Sequence, residues 1–426
     1  MSQSQEKASK QRFTALDVFR GATVAFMILV NNPGSWSAMF EPLQHASWHG
    51  CTPTDLVFPF FLFAVGNALA FVLHTLRSEP DSKVWFKILR RTTLIFAIGL
   101  FLNAFPFVEW SKESGALAWK DFSTFRFLGV LQRIALCFGA AAILVRLLAR
   151  DGKTHRILMA STTILLVYWG LCWRLGDSSD PYSLNGFFGT SIDRAVLGEK
   201  HLYRGEGVPF DPEGLVSTRP AIVQVLLGWW VGQLIVCNRT DLSMVQSRIF
   251  VAGIYLLTIA YVWQGVFPIN KKLWTSTFVL HTSGLAMLAL GVFIQWLDLN
   301  TSSAKSASTG KLASTGESGS SYRESIKLSF SFMLRTIFEP FGKNPLFIFV
   351  LSGMIPRLLG LFRWQIDLDA KGNSVWTSPL PWTYKSLFSQ IGNDPRLGSC
   401  LYSVALLSGY WLIATGLDRA KVYIRV

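Results

Sequence analysis

Charge and cysteine are the scarce ingredients of this chain. Charged residues make up 15% of its 426 positions, and there are 5 cysteines. So little charge excludes a disordered or strongly solvated chain, and it is too little for the surface of an ordinary soluble domain of this length. Cys137, Cys172 and Cys400 fall inside apolar runs, Cys237 lies at the end of one, and Cys51 stands alone between two, so no structural disulfide is expected. No zinc-ligand spacing, phosphate loop, nucleophile elbow or dinucleotide fingerprint occurs, so no metal is expected. Lysine and arginine are missing altogether from residues 32 to 54.

What is present in abundance is apolar sequence. Half of the residues are hydrophobic, and runs of membrane-spanning length recur from end to end. A hydrocarbon core of about 30 Å needs roughly 20 mostly apolar residues per helix, and about ten segments qualify. They lie near 15–31, 56–76, 88–107, 126–148, 157–175, 220–237, 248–266, 275–297, 341–362 and 397–417. The expected fold is therefore all-α, a polytopic transmembrane helical bundle of about ten helices.

The formal net charge of +14 does not point to nucleic acid, because the basic residues form no continuous tract with interleaved aromatics. They recur in alternate connections instead: Lys7, Lys10 and Arg12, then Lys83, Lys87, Arg90 and Arg91, then Arg146, Arg150, Lys153 and Arg156, and lastly Arg419, Lys421 and Arg425. The positive-inside rule then puts both termini in the cytoplasm and residues 32 to 54 on the far side. The first apolar run contains Asp17 and Arg20 and lacks a small-residue cleavage site, so it is read as a retained helix, not a signal peptide. The expected setting is a bacterial inner membrane.

The chain divides into a cytoplasmic segment, 1–14, and one transmembrane domain, 15–426, with three long connections. The outer loop 176–217 is rich in aromatics, glycine and proline, a composition suited to a folded cap over a pocket. The inner segment 298–334 includes the Ser, Thr, Gly and Ala-rich stretch 300–321 and is expected to be a flexible linker. The outer loop 363–396 completes the set.

Polar groups in a bilayer are costly and mark candidate sites. Arg20 and Asn31 return to nearly one face of the first helix, roughly 16 Å apart, with Asp17 about one turn before Arg20. A local ion pair that only fixes packing is the plainer reading of Asp17 and Arg20. Arg126 and Arg133 are expected on one face of the fourth helix, Arg133 about 10 Å deeper, where its donor fork suits a carboxylate, phosphate or carbonyl oxygen. In the first outer loop His45 is a candidate general base, with Asp55 or Asn31 to orient the ring and Trp36, Phe40 and Trp48 to hold the loop against the membrane. Nothing near Cys51 in sequence marks a lowered thiol pKa. Two further clusters, Asp211 to Gly214 and Asn270 to Lys272, fall on the same outer side.

Seven blocks carry a resemblance to a known family: LDVFRG at 16–21, VN at 30–31, HASWHGCTPTDLVFPFFLF at 45–63, GVLQR at 129–133, DPEGL at 211–215, INKKLW at 269–274 and GKNPL at 342–346. With these the chain resembles the transmembrane acyltransferases typified by heparan-α-glucosaminide N-acetyltransferase and its bacterial NagX-like relatives. The resemblance implies that acetyl-CoA enters from the cytoplasmic side and that its acetyl group passes to the amine of a hexosamine on the periplasmic or lumenal side. It carries the catalytic histidine onto His45 and the active-site asparagine onto Asn31, with Asp55 and Arg133 beside them. Asp211, Glu213, Lys271 and Trp48 are then expected at the amino-sugar acceptor. Lys87, Arg90 and Arg91, with Arg20, Lys343 and Asn344, are expected at the acetyl-CoA phosphates, although orientation in the membrane alone also accounts for the basic residues. Relatives imply a homodimer embedded in membrane lipid, with no nucleic-acid partner. Asn32 and Pro33 replace an aromatic and a glycine of the lysosomal members, which leaves the sugar open. A secondary transporter of a sugar or amphiphile is the alternative, weakened by the lack of an internal repeat.

Overall fold

A computed structural model of the chain describes residues 13–111, 115–299, 318–368 and 374–424. Among them the helices are α1 (Thr14–Asn31), α2 (Val57–Thr75), α3 (Asp81–Ala104), α4 (Val130–Leu148), α5 (His155–Leu175), α6 (Phe188–Leu197), α7 (Leu215–Cys237), α8 (Leu242–Trp263), α9 (Ser276–Ile294), α10 (Ser318–Lys343), α11 (Pro345–Leu359), α12 (Pro379–Thr383) and α13 (Pro395–Arg419). Two small antiparallel hairpins complete the fold: β1 (Val108–Trp110) with β2 (Leu117–Trp119), and β3 (Trp364–Leu368) with β4 (Ser374–Thr377). The protein is all-α and polytopic. Among the described residues eight helices are long and apolar enough to cross a membrane: α1, α2 with its lead-in from Pro53, α4, α5, α7, α8, α9 with its continuation to Leu299, and α13. The other two expected apolar segments lie in α3, whose first half carries Lys83, Lys87, Arg90 and Arg91, and in the shorter α11.

The bundle closes where small residues let backbones touch. A Cβ at Gly66 of α2 would sit 2.0 Å from the Val225 carbonyl oxygen of α7, and one at Gly228 of α7 would sit 2.1 Å from that of Phe63. Likewise, a Cβ at Gly21 of α1 would lie 1.8 Å from the Phe338 oxygen of α10, and one at Gly342 equally close to the Asp17 oxygen. Close helix approach of this kind is how apolar helices gain packing in lipid, where no hydrophobic drive brings them together.

Contacts between connections sort into two sets, as alternating crossings require. At one end Asn32 to Ser35 bond to Ser399 and Ser403, and Trp110 bonds to Leu361. At the other, Ala15 bonds to Asp298, Arg150 to Asp81, and Lys343 to Asp418. The second set is the end where Phe13 enters α1 and where the last described residues lie, and it is called the inner face below.

Three expectations need correction. Arg126 does not belong to the fourth helix: α4 starts at Val130, and Phe125 to Gly129 run extended ahead of it. The linker expected over 298–334 gives way to helix from Ser318 onward, while residues 300–317 lie outside the described set. The outer loop expected to run to 217 ends at Gly214, because α7 begins before Pro220 and carries that proline inside it.

Candidate active site

Asp55 is the fixed point of the site. Thr52 ends the extended chain and Pro53 starts a short 3₁₀ turn, which brings the Asp55 carboxylate back over Thr52. Its Oδ2 accepts from the backbone N–H of Ala46 at 3.1 Å, from that of Thr52 at 3.0 Å, and from the Thr52 hydroxyl at 3.1 Å. Asp55 is 1% exposed, so this ladder holds a buried carboxylate in one orientation. Its Oδ1 faces His45 Nδ1 at 2.7 Å and Lys271 Nζ at 3.2 Å. A bond that short to a carboxylate puts the proton on Nδ1, so Nε2 of the neutral ring is left as an acceptor. The His45 side chain is 46% exposed, so that free nitrogen can be reached from outside.

Lys271 Nζ also lies 3.1 Å from His45 Nδ1. With Nδ1 donating to Asp55, the ammonium is directed to the carboxylate, not the ring. Burial draws the Lys271 pKa below the ordinary lysine range, while Asp55 and Glu213 act in the opposite sense.

Three outer connections lock together around this trio. Gly50, at φ +104°, donates its N–H to the Ile269 oxygen at 2.8 Å and pairs with Asn270. A side chain at that φ would be strained, so glycine is required where the two loops meet. Asn270 is fully buried and accepts from the Leu273 N–H at 2.9 Å. Lys272 donates to the Ser47 oxygen at 2.8 Å and to Glu206 at 2.7 Å, with its ammonium 5.5 Å from the Trp48 ring centre. Trp48 in turn donates to the Tyr182 oxygen at 2.8 Å and packs on Phe210. Within the aromatic stretch 176–217, Phe187, Phe188 and Phe210 are buried against Tyr168 and Phe267. Cys51 sits beside the trio, but burial and the neighbouring Asp55 charge push its thiol up to about 12, the wrong direction for a nucleophile. Burial lowers the pKa of His49, with Asp180 opposing.

A second charged group stands next to the first. Arg126 grips Asp211 through two bonds, at 2.9 and 2.6 Å, and Glu213 at 2.5 Å. Burial opposes its charge, yet Asp211 and Glu213 outweigh that and hold its pKa above the ordinary value. Glu213 also acts on Lys271, so the charges run from His45 and Asp55 through Lys271 and Glu213 to Arg126 and Asp211. Arg133 is 1% exposed and bonds to the carbonyls of Pro212 and Gly214 and to the Ser217 hydroxyl, with the Trp274 ring 5.0 Å away. These bonds brace the chain that presents Asp211 and Glu213.

Sequence reasoning missed Asp193, which accepts from the Leu215 N–H at 3.0 Å and the Val216 N–H at 3.4 Å and so caps α7 from the short helix α6. Burial raises its pKa to about 6 against those two bonds. No local pattern marks it. Arg126 carried a signal, an arginine at the edge of an apolar run, but its partners could not be read from it.

Asn31 does not bond to His45. It lines a separate cavity of about 390 Å³ in the outer half of the bundle, together with Asn103, Arg126, Gln132, Ser352 and Arg357. Arg126 thus belongs both to that cavity and to the charge string. Toward the inner face, Lys87 and Arg90 are exposed, and Arg91 is half-buried with its guanidinium 4.9 Å from the Phe138 ring centre, close enough to Arg20 for their charges to repel. Arg20 pairs with Asp17. Lys343 is held by Glu339 at 2.9 Å and Asp418 at 2.8 Å. Asn344 is fully buried, donating to the Val422 oxygen and accepting from the Ile424 N–H, so it fastens the end of the chain instead of facing a ligand. Among the described residues no cluster has the make-up of a metal site.

Fold and site together define a multi-pass helical membrane protein whose histidine, acid and lysine are gathered by connections at one end of the bundle. The chain is 27% identical over 336 residues to heparan-alpha-glucosaminide N-acetyltransferase of Homo sapiens, a stretch covering 68% of this chain and 49% of that protein. It is 26% identical over 342 residues to the protein of the same name from Mus musculus, covering 69% and 50%. The matched stretch is thus about half the length of each relative. No family model matches. Over about two thirds of its length the chain is thus similar to heparan-alpha-glucosaminide N-acetyltransferases.

Proposed function

We propose that the protein is a membrane-bound N-acetyltransferase that passes an acetyl group from acetyl-CoA, taken up at the inner face, to the amine of a glucosamine-type sugar at the opposite face. The observation that carries this reading is the 2.7 Å contact between His45 Nδ1 and the buried Asp55, in a histidine whose side chain is 46% exposed. In the simplest route His45 Nε2 takes the proton that the acceptor amine sheds as it bonds to the acetyl carbon. The same proton then returns to the departing thiolate, so the imidazole ends neutral. In the other route Nε2 attacks the thioester carbonyl and the coenzyme A thiolate leaves; the amine then takes the acetyl group from the ring, and the proton it sheds passes through the imidazole to the thiolate. Asp55 serves both, because a carboxylate on Nδ1 stabilises the cationic ring that either route creates.

Asn31, at the end of α1 and in the cavity wall, is the donor we assign to the acetyl oxygen. Arg133, enclosed and engaged with backbone, is assigned to positioning. Glu213 and Asp211, beside Lys271 and Arg126, supply negative charge suited to a cationic amine, and Trp48 offers an aromatic face to a sugar ring. The exposed Lys87 and Arg90, with Arg91 and Arg20 close together, fit the phosphates of the donor; Lys343 and Asn344 are engaged within the chain and fit less well.

Purified protein given labelled acetyl-CoA and glucosamine should form the N-acetylated sugar. His45→Ala should lower turnover by roughly 10²–10⁴-fold with an unchanged detergent melting temperature. Undiminished turnover in that variant would remove His45 from the chemistry.

A further inference from the structure

A small hollow opens at the inner face between the ends of α2, α4 and α7, away from every residue assigned above to transfer. Its volume is about 60 Å³, and its walls include His74, Arg77, Arg146, Arg150, Trp229 and Gln233. That space equals roughly two water molecules, enough for one phosphate group and too small for a nucleotide. Asp81 pairs with both Arg146 and Arg150, so one carboxylate answers two guanidiniums. Arg77 pairs with no acid among the described residues, and the hollow keeps an excess of positive charge.

Two buried donors in its wall also lack acceptors. Trp229 is 3% exposed and its Nε1 has no partner; the Arg146 side chain is 10% exposed and its Nε has none. Buried donors without acceptors are rare and unfavourable, so the wall around the hollow is short of acceptors as well as of negative charge. The depth is that of a headgroup, since His74 and Arg146 lie in the last turns of α2 and α4. Beside the hollow, Val72 and Leu147 are exposed on the same helix ends, where a lipid chain would run.

We propose that this hollow holds the phosphate of an anionic phospholipid of the inner leaflet. A basic pocket between helix ends on the cytoplasmic side is a recurring way to bind such headgroups. The site is independent of the transferase reading and stands or falls without it.

Native mass spectrometry of the purified protein with added phosphatidylglycerol or phosphatidylcholine tests this. Phosphatidylglycerol should be retained preferentially, and Arg77→Gln with Arg150→Gln should weaken its retention roughly thirty-fold, while phosphatidylcholine is unaffected. Should the double variant not fold, Arg77→Gln alone, which breaks no ion pair, should weaken retention roughly fivefold. Equal retention by wild type and variant, or no preference over phosphatidylcholine, overturns the site. Displacement of phosphatidylglycerol by inorganic phosphate or coenzyme A at equal concentration overturns the lipid as its occupant.

Discussion

His45 and Lys271 are 226 positions apart in the chain, yet both reach the same oxygen of Asp55. That shared oxygen makes each residue separately testable. Asp55→Asn keeps the shape but loses the charge that stabilises a protonated ring, so kcat should fall by roughly 10²–10⁴-fold with a smaller change in the acceptor KM, as steady-state kinetics would register. Lys271 has a lowered pKa, so its proton is lost at a lower pH than the ordinary lysine value of about 10.4, and the pairing with Asp55 fades as pH rises through that depressed value. The rate should therefore decline on the alkaline side below the usual lysine range. Lys271→Arg, charged throughout, should move that decline upward; a limb that stays put means Lys271 is not the titrating group. Cys51, with its thiol near 12, is protonated at neutral pH, so Cys51→Ser should retain nearly full turnover. Residue type alone marked His45 and Asp55, because an acid and an imidazole without nearby cations are unusual beside apolar runs. Lys271 was singled out from the Asn270 to Lys272 cluster through the family resemblance alone; that it would share an Asp55 oxygen with His45 was not legible, since it depends on how the Gly50 and Asn270 loops pair.

Helices were the most readable elements, because a bilayer demands long apolar runs and the chain supplies them. Their ends were less so. The proline at 220 looks like a helix start, but α7 begins at Leu215, where Asp193 of α6 takes up its first N–H groups. The start of α10 is rich in serine and glycine, a composition that argues for a linker, and what anchors its far end is backbone contact at Gly21 and Gly342. Gly21→Val should force α1 and α10 apart and lower stability by about 1–3 kcal/mol, seen as an earlier melting transition in detergent. Asp193 gives a pH signature for α7. Its folded pKa of about 6 lies above the ordinary aspartate value of 3.8, so the stability it contributes is full below the lower value and is lost as pH rises through the higher one. Relative to Asp193→Asn, the wild type should therefore lose ground between about pH 4 and pH 6 in thermal melts.

At the scale of the molecule, the connections divide into two sets at opposite ends, and the charged groups divide with them. His45, Asp55, Lys271, Glu213 and Asp211 stand at one end, Lys87, Arg90 and Arg91 toward the other. Alternating basic connections made that division legible in the sequence; the assembly of three outer connections into one cap was not, because it depends on contacts such as Trp48 to Tyr182 that no local pattern encodes. A transporter would use the two ends differently: it would exchange labelled sugar across vesicles with no acetyl donor present. A transferase should show no such counterflow.

The most direct test is made in sealed vesicles of known orientation, with labelled acetyl-CoA on the inner-face side and a membrane-impermeant glucosamine derivative on the other. Label should appear on the acceptor across the membrane, and His45→Ala should abolish it. Transfer only when donor and acceptor share one compartment, or transfer undiminished in His45→Ala, would contradict the account.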